Sequence, residues 1–130
     1  MYELLNEFKY TAQTKKEYII YFLKYWLDEG ARDKNEKGDY VAKYQIRSQD
    51  RDIVWYGRIS RERALADLNI NAKDARSMDK KELESKIVVH LKKLIITVMF
   101  KGLDKGFEEP NTELVFYSEP LVAKRIWQGS

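Results

Sequence analysis

The stretch from Tyr40 to Ile59 alternates with a period of two, and this limits the possible folds more than any other feature of the chain. Tyr40, Ala42, Tyr44 and Ile46 interleave with Val41, Lys43, Gln45 and Arg47. After a polar turn at Ser48-Gln49-Asp50-Arg51, Ile53, Trp55, Gly57 and Ile59 interleave with Val54, Tyr56 and Arg58. Successive side chains of a strand point to opposite faces, so each arm has one apolar face and one mixed face. The pattern predicts a β-hairpin over about 40–59. Its apolar face, built by Tyr40, Ala42, Tyr44, Ile46, Ile53, Trp55 and Ile59, needs a cover, and helices are expected to supply it.

The rest of the chain reads mainly as helix. Thr14-Lys15-Lys16-Glu17 fits a capping box, and Tyr18, Phe22, Tyr25 and Trp26 follow at helical spacing up to Gly30. This predicts a helix over about 15–29, preceded by a shorter one within 2–11 that sets Leu4, Leu5 and Phe8 on one side. Ser60 can cap a short helix carrying Ala64, Leu65 and Leu68. Asp79 can cap a second long helix, about 79–100, with Leu83, Ile87, Leu91, Leu94, Ile95 and Val98 as its stripe. Positions 87–100 are apolar almost all round, so this helix is expected to be central and largely buried. Leu94 to Phe100 is rich in β-branched residues and reads also as strand; the lack of a turn residue before it favours helix. Glu113 to Ser118 reads as a strand that can join the hairpin, stopped by Pro120. Gly30–Asp39 and Gly102–Thr112 read as loops, and a tail with Leu121, Val122, Ile126 and Trp127 is expected to dock. The expectation is one α+β domain: a small antiparallel sheet packed on two long helices.

The chemistry available to such a domain is narrow. The chain has no cysteine and one histidine, His90. This excludes a disulfide framework and a thiolate zinc site. On a helix His90 has Lys86 and Lys93 as neighbours, which disfavour an imidazolium and offer no carboxylate partner. Glu82/Glu84 and Glu108/Glu109 are local acidic pairs, and Asp50 and Asp52 share a turn; none of these spacings demands a metal. Gly102-Leu-Asp-Lys-Gly106 lacks the Gly-Lys-Ser/Thr ending of a phosphate loop. No catalytic set, metal site or cofactor is therefore predicted, and the chain is read as a binder rather than an enzyme. No apolar run is long enough to span a membrane, and residues 1–9 lack the pattern of a secretory signal, so an intracellular, cytoplasmic location is expected. The composition suits a gene of a virus or mobile element.

Charge is unevenly placed. Residues 41–102 carry 14 Lys/Arg against 8 Asp/Glu, whereas both flanks are slightly acidic. The outer hairpin face would gather Lys43, Arg47, Arg51 and Arg58 around Tyr56, and Arg61, Lys73 and Arg76 would extend the basic area. Cations hold phosphates and a phenol ring can stack a base, so this face predicts nucleic-acid binding, to DNA or RNA. The alternative is an ordinary exposed sheet face with arginines for solubility. Leu65, Leu68, Ile70, Ala75 and Met78, with Asn69 at the turn, also have spacings similar to those of a helix-turn-helix. Against this, Leu65 stands where that motif wants a small residue, and Asp74 would face phosphates; an ordinary helical corner is the simpler reading. The second function class is a protein–protein module or homodimer. It rests on the aromatic density of the first helix, where Tyr18, Tyr21, Tyr25 and Trp26 cover more than one side.

Overall fold

The computed structural model describes residues 2–29 and 38–116. Most of the expected loop at 30–39, the end of the last strand at 117–118, Pro120 and the tail with Leu121, Val122, Ile126 and Trp127 lie outside the described residues.

The class is α+β. Five strands form one mixed sheet in the order β1 (Glu7–Thr11), β2 (Glu17–Asp28), β3 (Asp39–Arg47), β4 (Asp52–Ser60) and β5 (Asn111–Phe116). The first four form an antiparallel meander, and β5 runs parallel to β4. A parallel neighbour cannot be reached by a tight turn. The chain crosses instead through α1 (Arg61–Asp67), α2 (Ala72–Ser77) and α3 (Lys80–Asp104). The hairpin predicted over 40–59 is present as β3 and β4, with Tyr44 opposite Trp55 and Lys43 opposite Tyr56. The strand expected near 113–118 joins the sheet, beginning at Asn111.

The first predicted helix is a strand. Residues 17–28 form β2, not a helix over 15–29, and the short helix expected within 2–11 is a single 3-10 turn (Tyr2–Leu4) followed by β1. The reason lies in composition. Tyr18, Ile19, Ile20, Tyr21, Phe22, Tyr25 and Trp26 are aromatic or β-branched, types that fit a pleated surface better than a helix. In a segment so apolar, helical spacing arises without helical meaning. The Thr14 capping box is a hairpin turn: the Ala12 amide donates to the Lys16 carbonyl, and Lys15 takes a left-handed φ of 77°. Two strands thus replace a helical layer, and one long helix covers the sheet where two were expected.

That helix is α3, 25 residues and therefore roughly 38 Å long. The Asp79 side chain accepts from the Glu82 amide at 3.3 Å, which fixes its start. Leu83, Ile87, Leu91, Ile95, Met99 and Leu103 recur every four residues and are all buried, forming one straight ridge. The segment 94–100 is helical despite its β-branched residues. α3 is not buried on most sides, however. Its opposite flank carries exposed Lys86, Lys93 and Thr97, so the sheet covers it from one side.

The ridge seats on the inner sheet face of Tyr18, Ile20, Tyr44, Ile46, Ile53, Trp55, Ile59 and Leu114. One position is set by close approach. Gly57 faces Ile95, and a Cβ at 57 would overlap Ile95 Cγ1 and Cδ1. At the far end of α3, Tyr10 stacks on Phe100 with ring centroids 3.8 Å apart, and the Tyr10 hydroxyl donates to Asp104 at 2.7 Å. Burial and this bond push the Tyr10 pKa up to about 12.

Three connections meet at one end of the sheet. Glu108, after α3, accepts from the Tyr18 hydroxyl at 2.5 Å and pairs with Lys16 of the β1–β2 turn at 2.8 Å. Lys16 also pairs with Asp50 of the β3–β4 turn at 2.7 Å. Burial pushes the Glu108 carboxyl up, but the bonds from Lys16 and Tyr18 outweigh it and leave the pKa below the ordinary 4.5.

Gly57→Ala should destabilise the fold by about 1–3 kcal/mol in urea unfolding, and adding Ile95→Ala should cost less than the sum of the single changes. Because the folded pKa of Glu108 is depressed, its contribution is present above the unfolded pKa of 4.5 and is lost as pH falls through the folded value. Glu108→Gln should therefore melt below wild type at neutral pH, and thermal melts on a falling pH series should show the gap closing below about pH 4.5.

Candidate binding face of the sheet

The strand period that sends one set of side chains to α3 sends the other to a face that no described element covers. The β-bulge between Phe22 and Lys24 shifts the register of β2. Ile19 and Tyr21 therefore point outward before it, and Lys24, Trp26 and Asp28 after it. Across the sheet they meet Asp39, Val41, Lys43, Gln45 and Arg47 of β3, then Asp52, Val54, Tyr56 and Arg58 of β4, then Glu113 and Val115 of β5. β1 contributes Glu7 and Lys9.

An aromatic pair forms the centre. The Trp26 and Tyr56 rings meet edge to face with centroids 6.4 Å apart. Lys24 Nζ lies 5.1 Å from the Trp26 centroid, and Lys43 Nζ lies 5.4 Å from that of Tyr56. Both distances suit cation–π attraction. Val41, opposite Trp26 and Arg58, is only 1% exposed although it lies on the outer face. Ile19, Tyr21, Val54 and Val115 are half-buried around this centre.

Beside the pair, Arg58 is held by three carboxylates. Its Nη1 reaches Asp28 and Asp39 at 3.2 Å each, and its Nε reaches Glu113 at 2.6 Å. Burial opposes the charge, but bonds to Glu113, Asp39 and Asp28 raise the guanidinium pKa further. Asp39 is fully buried, so Arg58 is a structural cation. Gly38, just before β3, approaches the β2 backbone closely here: at φ 90° it would bring a Cβ within 2.8 Å of the Asp28 carbonyl oxygen.

The predicted basic residues are thus divided. Lys43, Arg47, Tyr56 and Arg58 share the outer face as expected. Arg58 is committed to its acids, and Arg47 lies 4.0 Å from Asp52. Arg51 is 3.7 Å from Glu108 at the end of the sheet. Arg61 belongs to α1, and Lys73 and Arg76 belong to α2, in the helical layer, so they do not extend this face. Lys9, Lys24, Lys43, Arg47 and Arg58 stand on it against Glu7, Glu17, Asp28, Asp39, Asp52 and Glu113, five bases to six acids. The surplus of the middle sequence is therefore not concentrated there.

The predicted aromatic interface is divided too. Tyr18 is a core residue, 1% exposed, and Tyr25 lies on the helix side, where its hydroxyl donates to Glu84 at 2.8 Å. Tyr21 and Trp26 face outward. Lys24 was missed, and so was the meeting of Trp26 with Tyr56. Reading β2 as a strand would have found the Lys24/Trp26 alternation; the bulge hides it from simple parity. The stretch 64–78 forms a corner of two short helices, with Asn69 left-handed at φ 58° and α2 only six residues long.

Among the described residues there is no cluster of three or more potential metal-ligating side chains, and no helix is long and apolar enough to cross a membrane. No protein family, curated protein or solved structure matches the chain.

Arg58→Ala should leave Asp39 buried without its cation and destabilise the fold by about 3–5 kcal/mol. Arg58→Ala with Asp39→Asn should recover part of this in denaturant unfolding, which separates charge burial from lost packing.

Proposed function

We propose that the protein is a non-enzymatic interaction module that pairs, through the sheet face that no described element covers, with a second copy of itself. The observation that carries this reading is the Trp26–Tyr56 pair at the centre of a face with balanced charge. Apolar and aromatic residues at the middle and mixed charges at the rim are the anatomy of a protein interface. A polyanion site calls for a surplus of cations, and here the acids are as numerous as the bases.

Charge order on the face suits self-recognition. Lys24 and Lys43 are direct neighbours and form a local charge of +2. Arg58 with Asp28, Asp39 and Glu113 sums to −2. A twofold partner lays the lysines of one copy over the acidic group of the other, with the aromatic pair between them. The size is adequate. Strands of 5, 12, 9, 9 and 6 residues, at about 3.3 Å per residue and about 4.8 Å apart, give a face of roughly 650 Å². A standard interface uses about 800 Å² per partner.

The lysines over the Trp26 and Tyr56 rings favour a second reading, in which the same rings stack the bases of a single-stranded nucleic acid. The two readings differ in one experiment. Sedimentation across a wide concentration range should show a dimer that dissociates on dilution. Trp26→Ala should weaken it by about 2 kcal/mol or more, at least roughly thirtyfold in Kd. Lys24→Glu/Lys43→Glu should give a monomer. A wild type that stays monomeric throughout defeats the homodimer. If that monomer shifts single-stranded oligonucleotides in a gel, and the lysine variant does not, the nucleic-acid reading replaces it.

A further inference from the structure

A second surface, independent of the sheet face, lies on the opposite side of the molecule. The α1–α2 corner stands off from the solvent flank of α3 and leaves a groove of about 500 Å³. Small-molecule sites fall in this range of volume. Leu68, Ile70 and Met78 from the corner, with Val89 from α3, give the groove apolar walls. Such walls accept an apolar body.

Its polar groups come from one stripe of α3. Lys86, His90 and Lys93 follow at spacings of four and three residues, so they share a helix face and all line the groove. No carboxylate neighbours His90 along α3, yet the fold supplies one: His90 Nε2 lies 2.8 Å from Asp67 Oδ2 at the end of α1. That carboxylate also accepts from Arg63 Nε at 2.8 Å. An ionised carboxylate only accepts hydrogen bonds, so Nε2 carries the proton, and the ring is held by Asp67. Arg63 balances the charge of Asp67, which leaves the lysines undiminished by it. Asp74 is the one acid lining the groove, and two lysines against it leave a single positive charge.

We infer that this groove binds a small amphipathic carboxylate: an apolar body against Leu68, Ile70 and Met78, and one anionic head between Lys86 and Lys93 beside His90. The apolar walls and the net charge of one select together for a monoanion with a hydrocarbon tail. Neither an uncharged amphiphile nor an inorganic anion satisfies both halves. The site owes nothing to the sheet face, so its failure and that of the self-association reading are separate results.

One histidine in the chain makes the test direct, because the imidazole Cε1–H gives one proton NMR signal and it belongs to this groove. Octanoate is the probe, and octanol is its uncharged counterpart. Octanoate should shift the His90 signal saturably, and octanol should bind about tenfold more weakly or less. Lys86→Gln/Lys93→Gln changes only exposed side-chain ends of α3 and should weaken octanoate about tenfold while leaving octanol unaffected. Met78→Trp should fill the groove and abolish both. A His90 signal that octanoate does not move overturns the inference. So does octanol binding as well as octanoate, or a lysine variant that binds octanoate like wild type.

Discussion

The seating of α3 on the inner sheet face organises everything else in this protein. A helix that shows a buried residue at every fourth position from Leu83 to Leu103 makes a straight ridge, and a ridge needs a channel. The absence of a side chain at Gly57 opens that channel beside Ile95 in the middle of β4. Tyr44 and Trp55 make its bulky floor, both fully buried. The aromatic group of Tyr2, Phe8, Tyr10 and Phe100 then closes the C-terminal part of the helix against β1. Close packing of this kind fixes the helix along its length, and so fixes both surfaces that remain.

Those two surfaces are chemically different because they arise differently. The outer sheet face follows from strand periodicity alone: whatever does not point at α3 points away from it. Its arginines are largely spoken for, with Arg58 tied to Asp28, Asp39 and Glu113. What remains is an aromatic centre with lysines on the rings. The groove beside His90 follows from the α1–α2 corner, where Asn69 turns left-handed and lets Ile70 and Met78 face α3 across a gap.

The hairpin was legible from residues alone, including which side faces the helix, because one set of alternate positions is wholly apolar while the other carries Lys43, Gln45, Arg47 and Arg58. β2 was not legible. Its outward positions carry Ile19, Tyr21 and Trp26, nearly as apolar as its inward ones, so neither period stands out. That single misreading hid Lys24 and separated Trp26 from Tyr56, which are 30 residues apart in sequence and meet only because β3 sets β2 and β4 on either side of it. The long helix was legible from its Asp79 cap and its unbroken stripe. The basic surface was legible as a count but not as a place, because Arg61, Lys73 and Arg76 go to the other layer. The partner of His90 was beyond reach, since a helical wheel shows Lys86 and Lys93 but not Asp67 on another helix.

The parallel pairing of β5 with β4 has a kinetic meaning. The meander from β1 to β4 pairs strands that are neighbours in sequence, whereas β5 waits for residues 61–110 to fold into their crossover. Until it arrives, the free edge of β4 exposes unbonded amides and carbonyls beside Trp55 and Ile59, a template for pairing with any other extended chain. Synthesis from the N-terminus prolongs that interval, so the segment in greatest need of protection while the protein is being made is the edge that its last described strand will seal.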